Sequence, residues 1–244
     1  MKIVDFALDL PYVVNEGQVT KIQNEAECSR NEATIQDYRE NWKWKRRSFS
    51  LETRCVTALF SRLFKSFDTN DCKKIVVECI DEASCGQVKN LLGVLHVQVQ
   101  FDYKTFHTLD NNQKKRVALD LLMEGIERIA LDRNWSMEPF KATCDEIIKL
   151  DYINEWIWGK SARNNETEAT AKVLLQHEVK KVDISVIVFD KENNEIHREV
   201  VIAEEPDEFA YAKHLSDIKW ADGNTVVLTG SAGDEFCSVV AVIK

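Results

Sequence analysis

Three cysteines and a histidine near the middle of the chain are residue types that a metal site would use. They follow one another as Cys72, Cys79, Cys85 and His96. A structural zinc site needs two cysteines about two to four residues apart, because one tight turn must direct both thiolates at the same ion. Here the intervals are six and five residues, and the β-branched neighbours of Cys79 suit a thiol that packs as a small apolar group. We therefore expect no metal site.

Nucleophilic catalysis by a cysteine is a second chemistry to consider. Cys85 precedes Gly86 in a loop-like stretch, whereas Cys144 lies on the apolar face of a predicted helix, where a thiol is inert. A reactive thiolate needs a histidine within reach, and the sequence pairs Cys85 with none of the five histidines. The chain also has no G-x-S-x-G elbow, phosphate loop or G-x-G-x-x-G fingerprint. We assign no catalytic or cofactor-binding residue.

The segment Trp42–Arg47 combines two tryptophans with four cations, a combination found on surfaces that bind single-stranded nucleic acid. The alternative is that the tryptophans pack on the core while the cations stay in water. A formal net charge of −9 for the whole chain argues against general affinity for phosphate backbones. We therefore favour the packing interpretation and do not expect a nucleic-acid partner.

Negative charge is concentrated in the C-terminal third. Residues 161–244 hold sixteen acidic and nine basic side chains, a net −7 out of the −9 of the whole chain. The densest group, with two aromatic residues beside it, consists of Glu204, Glu205, Asp207, Glu208, Phe209 and Tyr211. Exposed carboxylates speed the approach of a basic protein, and aromatic side chains can hold it once bound. We predict that these six residues bind a basic protein partner, with a solvated acidic loop as the plainer alternative.

Composition limits the class of protein. The chain has 244 residues, 44% hydrophobic and 30% charged, which is enough for one large domain or two small ones. No apolar run is long enough to span a bilayer, so we expect no membrane association. Asp5 and Asp9 interrupt the only stretch that could serve as a signal peptide. The seven cysteines are an odd number without framework spacing, so we expect reduced thiols and a cytoplasmic location.

Hydrophobic periodicity predicts helices in the first two thirds of the chain. An i, i+3, i+4 stripe covers Thr53–Phe67, and the polar stretch Gln18–Arg47 suits a surface helix, an excursion or local disorder. Asp110 and Gln113 can form a capping box for a helix that continues through Ile129. A second helix begins near Pro139 after a short linker, so the two are expected to form an antiparallel hairpin.

Alternating apolar residues predict strands before and after these helices. The early candidates are Lys2–Leu8, Lys74–Ile80 and Gly93–Tyr103, the last with Leu95, Val97, Val99 and Phe101 inside. About five more follow residue 170, with turns at 190–194 and at Asp222-Gly223. We therefore expect an α+β fold, an antiparallel β-sheet meander with a central helical hairpin. It would form a single unit over 1–244, with a candidate internal boundary at 161–170.

The stretches KKRVALDLLMEGIERIALDRNW and IKWADGNTVVL give the chain a resemblance to a group of known proteins. Over Phe101–Leu228 it resembles uncharacterised cytoplasmic immunity-type proteins of Gram-positive bacteria. The resemblance implies a non-enzymatic protein that binds and neutralises another protein, and it assigns no individual residue. The alternative from a different class is a hydrolase or transferase with its site near Cys85 or at the Glu204–Glu208 carboxylates.

Overall fold

The computed structural model describes residues 1–82, 87–231 and 235–240. The chain divides into two compact units, Met1–Tyr152 and Ile153–Lys244. The division lies before the boundary considered at 161–170, a stretch that contains the end of one strand, a turn and the start of the next. Polar residues without apolar partners suit a turn between strands as well as they suit a linker, so composition did not distinguish the two.

A four-stranded mixed sheet forms the centre of the first unit. Its strands are β1 (Asp5–Asp9), β2 (Lys74–Ile80), β3 (Lys89–Leu91) and β4 (Val94–Gln100). Their order across the sheet is β1-β2-β4-β3, with β1, β2 and β4 parallel and β3 antiparallel to β4. Parallel strands end at the same edge of a sheet, so the residues after β1, β2 and β4 are brought together there.

The helices of the first unit lie between and after these strands. They are α1 (Glu16–Ala26), α2 (Arg30–Asp37), α3 (Lys43–Leu63), α4 (Tyr103–Thr108), α5 (Asn111–Arg133) and α6 (Glu138–Lys149). A π-helical turn, Tyr38–Trp42, joins α2 to α3. The capping box predicted from Asp110 and Gln113 is confirmed at the start of α5. Among the residues that the structure describes, every helix falls short of the length and apolarity that a bilayer crossing requires.

Helices α3 and α5 cover the apolar face of the sheet. Helix α3 packs on β1, α5 packs on β1, β2 and β4, and the two helices contact each other. The predicted inward set of β4 is confirmed, since Leu95, Val97, Val99 and Phe101 are all buried. At Gly125 of α5, the absence of a side chain leaves room for Val77 of β2.

The second unit consists mainly of antiparallel strands. They are β5 (Glu155–Arg163), β6 (Thr170–His177), β7 (Val182–Phe189), β8 (Glu195–Glu204), β9 (Asp217–Trp220), β10 (Thr225–Thr229) and β11 (Glu235–Val240). One sheet has the order β5-β6-β7-β8 and the other β11-β10-β9. Strand β9 lies beside β5, and β11 lies beside β8. The sheets therefore enclose one apolar core, which includes Val173, Leu175, Ile184, Val186, Val226 and Leu228.

The mixed α+β class expected from the sequence is confirmed, but the structure differs in its connections. Pairing is parallel for β1, β2 and β4, so the expectation of antiparallel pairing alone is wrong for the first unit. The physical reason is the long helical crossover between β1 and β2, which allows two neighbouring strands to run in the same direction. In the second unit, β9–β11 form a separate sheet instead of continuing the first one.

The helical expectations also need adjustment. The stretch Gln18–Arg47 is helical through most of its length, and α3 begins at Lys43 rather than near Thr53. The two helices expected as a hairpin are α5 and α6, and α6 contacts α3 as well as α5. These two helices therefore belong to a layer of three helices. Helix α3 covers part of the apolar surface that a hairpin of α5 and α6 alone would leave exposed.

Candidate functional site

The acidic segment, defined as residues 204–211, connects the end of β8 to a short helix in the second unit. Strand β8 ends at Glu204, and helix α7 covers Glu208–Tyr211. A 3-10 turn, Ala212–His214, follows directly. The segment is therefore short, and its two ends belong to β8 and α7, which have their own backbone hydrogen bonds.

Glu204 fixes the first end of the acidic segment. Its Oε1 accepts a hydrogen bond from the Glu205 backbone N–H at 3.0 Å, and its Oε2 lies 3.2 Å from both Lys213 Nζ and His214 Nε2. The Glu205 N–H, with His214 and Lys213 after it, lowers the pKa of Glu204 from 4.5 to about 2. The charge of Glu204 is largely used inside the protein, so this carboxylate contributes less to a partner than its sequence position suggests.

Asp207 caps helix α7. Its side-chain Oδ1 accepts a hydrogen bond from the Phe209 backbone N–H at 2.9 Å, which satisfies an amide that the first helical turn leaves without a partner. Pro206 before it is buried. Asp207 therefore orders the segment in addition to adding negative charge.

The two aromatic residues of the segment have opposite environments. Phe209 is 94% exposed, whereas Tyr211 is 7% exposed and belongs to the core of the second unit. The Tyr211 ring lies 6.1 Å from the His177 ring and 6.3 Å from the Trp156 ring, measured between centroids. The expectation that Tyr211 contacts a partner directly therefore needs correction: a one-turn helix directs residues two positions apart to different sides, and the inward one fills the core.

Glu205, Glu208 and Phe209 complete the six residues considered from the sequence. Phe209 and Glu205 are exposed, and Glu208 is half-buried. We call these three residues the Phe209 surface. It combines a large apolar group with two carboxylates, so it can offer a protein both apolar contact area and negative charge.

The Trp42–Arg47 segment is largely engaged within the first unit. Trp42 Nε1 donates a hydrogen bond to the Leu10 carbonyl at 3.1 Å, and Arg46 forms two hydrogen bonds of 2.8 Å to the Asp9 carboxylate. Lys45 Nζ lies 5.3 Å from the Trp42 ring centroid. Trp44 remains 51% exposed. These contacts favour the packing interpretation for Trp42 and Arg46.

The cysteines considered for chemistry are mostly buried. Cys72 and Cys79 are inaccessible to solvent, and burial raises the pKa of Cys79 well above its ordinary value. Burial also raises the pKa of Cys144. Cys85 lies outside the described residues. Within the parts of the chain that the structure describes, no group of three metal-ligating side chains comes together.

One feature was not anticipated from the sequence: a cleft in the first unit at the edge where β1, β2 and β4 end. The only signal was that polar or turn-forming residues follow each of these strands, as in Asp81-Glu82 after β2. These residues meet at one edge only if the strands are parallel, and alternation of apolar residues does not reveal strand direction.

Comparison of the chain with protein-family models, with curated proteins and with solved structures found no match.

Proposed function

We propose that this chain is a non-enzymatic, immunity-type protein that binds and neutralises a basic protein through the Phe209 surface. The observation that carries the proposal is the 94% exposure of Phe209 on a backbone held by Glu204 and Asp207. Exposure of a whole phenylalanine side chain is unfavourable in water, and a partner that buries it recovers about 2 kcal/mol. Because the backbone is already ordered, the loss of backbone conformational entropy on binding is small.

Charge indicates the kind of partner. The carboxylates of Glu205 and Glu208 lie on the same short segment as Phe209, within a region whose net charge is −7 over residues 161–244. Such a field attracts a basic protein and repels acidic ones, and it acts mainly on the rate of association. The partner is therefore a basic protein with an apolar recess that can accept a phenyl ring.

The two kinds of side chain have different roles in binding. An exposed ion pair contributes about 0.2–1 kcal/mol, so the carboxylates alone would give weak affinity. Burial of the Phe209 ring contributes more to the free energy of binding, and this contribution is lost when the partner dissociates. We therefore assign the rate of dissociation mainly to Phe209, and the rate of association and its salt dependence mainly to Glu205 and Glu208.

The first experiment is affinity capture from a lysate of the native host, with the full chain and with Phe209→Ala as paired baits. A basic protein should be captured in a one-to-one ratio by the wild type and be depleted with Phe209→Ala. Leu131→Ala is the matched control, because Leu131 is 86% exposed on α5 of the first unit. The Leu131→Ala protein should capture the partner as well as the wild type does. The purified partner should lose its own activity when wild-type protein is added.

The second experiment measures kinetics with the captured protein. Phe209→Ala should speed dissociation about thirtyfold, whereas Glu205→Lys/Glu208→Lys should slow association and reduce its dependence on salt. Glu127→Lys, a reversal at an exposed position of α5, is the control for net charge. Equal capture by wild type and Phe209→Ala, or an acidic protein as the stoichiometric partner, would refute the proposal.

A further inference from the structure

The cleft in the first unit lies at the carboxyl ends of the three parallel strands. Leu10 and Pro11 follow β1, Asp81 and Glu82 follow β2, and Asp102 comes two residues after the end of β4. Its volume is about 860 Å³, within the range of small-molecule sites. Ligands of open sheets with parallel strands bind outside this edge, and here residues that follow β1, β2 and β4 line the cleft.

The walls of the cleft are mainly apolar and aromatic. They include Leu10, Val13, Trp42, Ile80, Phe101 and Tyr103. The Trp42 indole is held in place by its hydrogen bond to the Leu10 carbonyl, and Phe101 is fixed by ring contacts with Phe49 and Phe106. A ligand that fills this space therefore needs an apolar body, and two of the aromatic walls, Trp42 and Phe101, are already held in place.

Carboxylates and ammonium groups line the cleft beside its apolar walls. Asp81 and Glu82 are exposed carboxylates, and neither is bonded to another side chain that the structure describes. Lys104 and Lys45 also line the cleft. The carboxylate of Asp102 differs, because it already accepts hydrogen bonds from the Lys104 and Thr105 amides and the Thr105 hydroxyl. Two carboxylates and two ammonium groups thus line one cleft, and Lys45 Nζ also lies 5.3 Å and 5.6 Å from the ring centroids of Trp42 and Trp44.

A smaller recess of about 280 Å³ adjoins the cleft and shares Val13, Trp42 and Lys45 with it. Its wall includes Asp37, which is 3% exposed and accepts hydrogen bonds from the Tyr12 hydroxyl at 2.6 Å and from Asn41 Nδ2 at 2.8 Å. Of the three shared residues, Trp42 belongs to the π-helical turn. Such turns are rare and occur frequently at functional sites.

We propose that this cleft binds a zwitterionic small molecule of the size of a short peptide, with an aromatic or branched apolar body. The ammonium group of the ligand is recognised by Asp81 and Glu82, and its carboxylate by Lys104, with Lys45 as the second cation. A purely anionic ligand would face two carboxylates without compensation, and a purely cationic one would face two lysines. The cleft and the Phe209 surface lie in different units, so this site does not depend on the function proposed above.

Calorimetric titration of the full chain with three related dipeptides tests the charge assignment. The probes are Phe-Leu, its C-terminal amide, which lacks the carboxylate, and N-acetyl-Phe-Leu, which lacks the ammonium group. Each lost charge should weaken binding about fivefold, as expected for a partly exposed ion pair. The zwitterion should therefore bind most tightly. Absence of saturable binding by all three probes, or tightest binding of either singly charged probe, would overturn the proposal.

Variants assign each charge to its residue. Asp81→Asn/Glu82→Gln should weaken Phe-Leu and the amide about fivefold, whereas the anionic N-acetyl-Phe-Leu should bind as well as before or better. Lys104→Gln should weaken Phe-Leu and the acetylated probe, whereas the cationic amide should bind as well as before or better. Glu127→Gln, an exposed charge removal on α5, should change none of the three. Equal affinities in all variants would place binding elsewhere and refute the site.

Discussion

Substitution of Gly125 by alanine tests the close approach of α5 to the sheet. A Cβ at this position would lie 2.3 Å from Val77 Cγ2, 2.7 Å from Val77 Cγ1 and 3.1 Å from Val77 Cβ. Ordinary carbon contacts are about 3.5–4.0 Å. Rotation of the valine side chain offers no relief because both of its methyl groups are too close. Either the helix must move away from β2 or the strand must shift.

The expected cost is the difference between two effects. Glycine to alanine in a helix interior stabilises by about 1 kcal/mol, because the alanine backbone loses less conformational freedom. Overpacking of a core costs about 1–3 kcal/mol, and the double clash with Val77 places this site at the upper end. We therefore expect Gly125→Ala to lower the free energy of unfolding by about 2 kcal/mol.

Urea unfolding of the full chain measures this change, and hydrogen exchange of α5 peptides assigns it to the first unit. In a Val77→Ala background the two clashing methyl groups are absent, so Gly125→Ala should be neutral or stabilising, which gives a coupling energy of about 2–3 kcal/mol. Gly17→Ala in α1 is the matched control, since its Cβ would meet only Asn15 Oδ1 at 3.5 Å; it should be neutral or stabilising. A Gly125→Ala protein as stable as the wild type would refute the close approach.

Three further predictions concern ionisable side chains. Lys114 Nζ lies 2.9 Å from Glu52 Oε2 with side chains 5% and 14% exposed, so Glu52→Gln should cost about 3 kcal/mol in urea unfolding, whereas Glu52→Leu/Lys114→Met should cost much less. The lowered pKa of Glu204 means that its stabilisation is complete above pH 4.5 and disappears as the pH falls to about 2. The Tm difference between wild type and Glu204→Gln should disappear as the pH falls through that interval. A difference that does not change with pH would contradict the contacts of Glu204 with Lys213 and His214. Burial, and then the hydrogen bond to Asp37, raise the pKa of Tyr12 from 10.0 to about 12, so its stabilisation should be lost as the pH rises through that range. Phenolate absorbance should show a lower Tyr12 pKa in Asp37→Asn, with Tyr12→Phe identifying the signal.

Local features were predictable because neighbouring residues decide them. The capping box of Asp110 and Gln113 requires only that a carboxylate and an amide lie three residues apart at a helix start. The turn at Asp222 depends on its own side chain, which accepts hydrogen bonds from the Asn224 and Thr225 amides. The inward residues of β4 follow from the period of two that every strand has.

The partner-binding prediction was incomplete because side-chain direction depends on the helix that carries it. The sequence placed Phe209 and Tyr211 together with four carboxylates. The fold then used Tyr211 in the core and left Phe209 exposed. It also paired Glu204 with residues that follow the segment, Lys213 and His214. No pattern within residues 204–211 indicates which aromatic side chain is buried or which carboxylate is paired. The space that the surrounding strands leave decides the first, and residues outside the segment decide the second.

The sequence by itself determined the classes of element, their caps and the faces that must be buried, because hydrophobic period and short-range hydrogen bonds act within a few residues. Only the tertiary structure decided that β1, β2 and β4 run parallel. The direction of β2 relative to β1 depends on how the chain crosses over through α1–α3, and this crossover brings together residues more than sixty positions apart, such as Asp9 and Glu78. The same decision placed Asp81, Lys104 and Trp42 around one cleft, since strand ends meet at a common edge only when the strands share a direction.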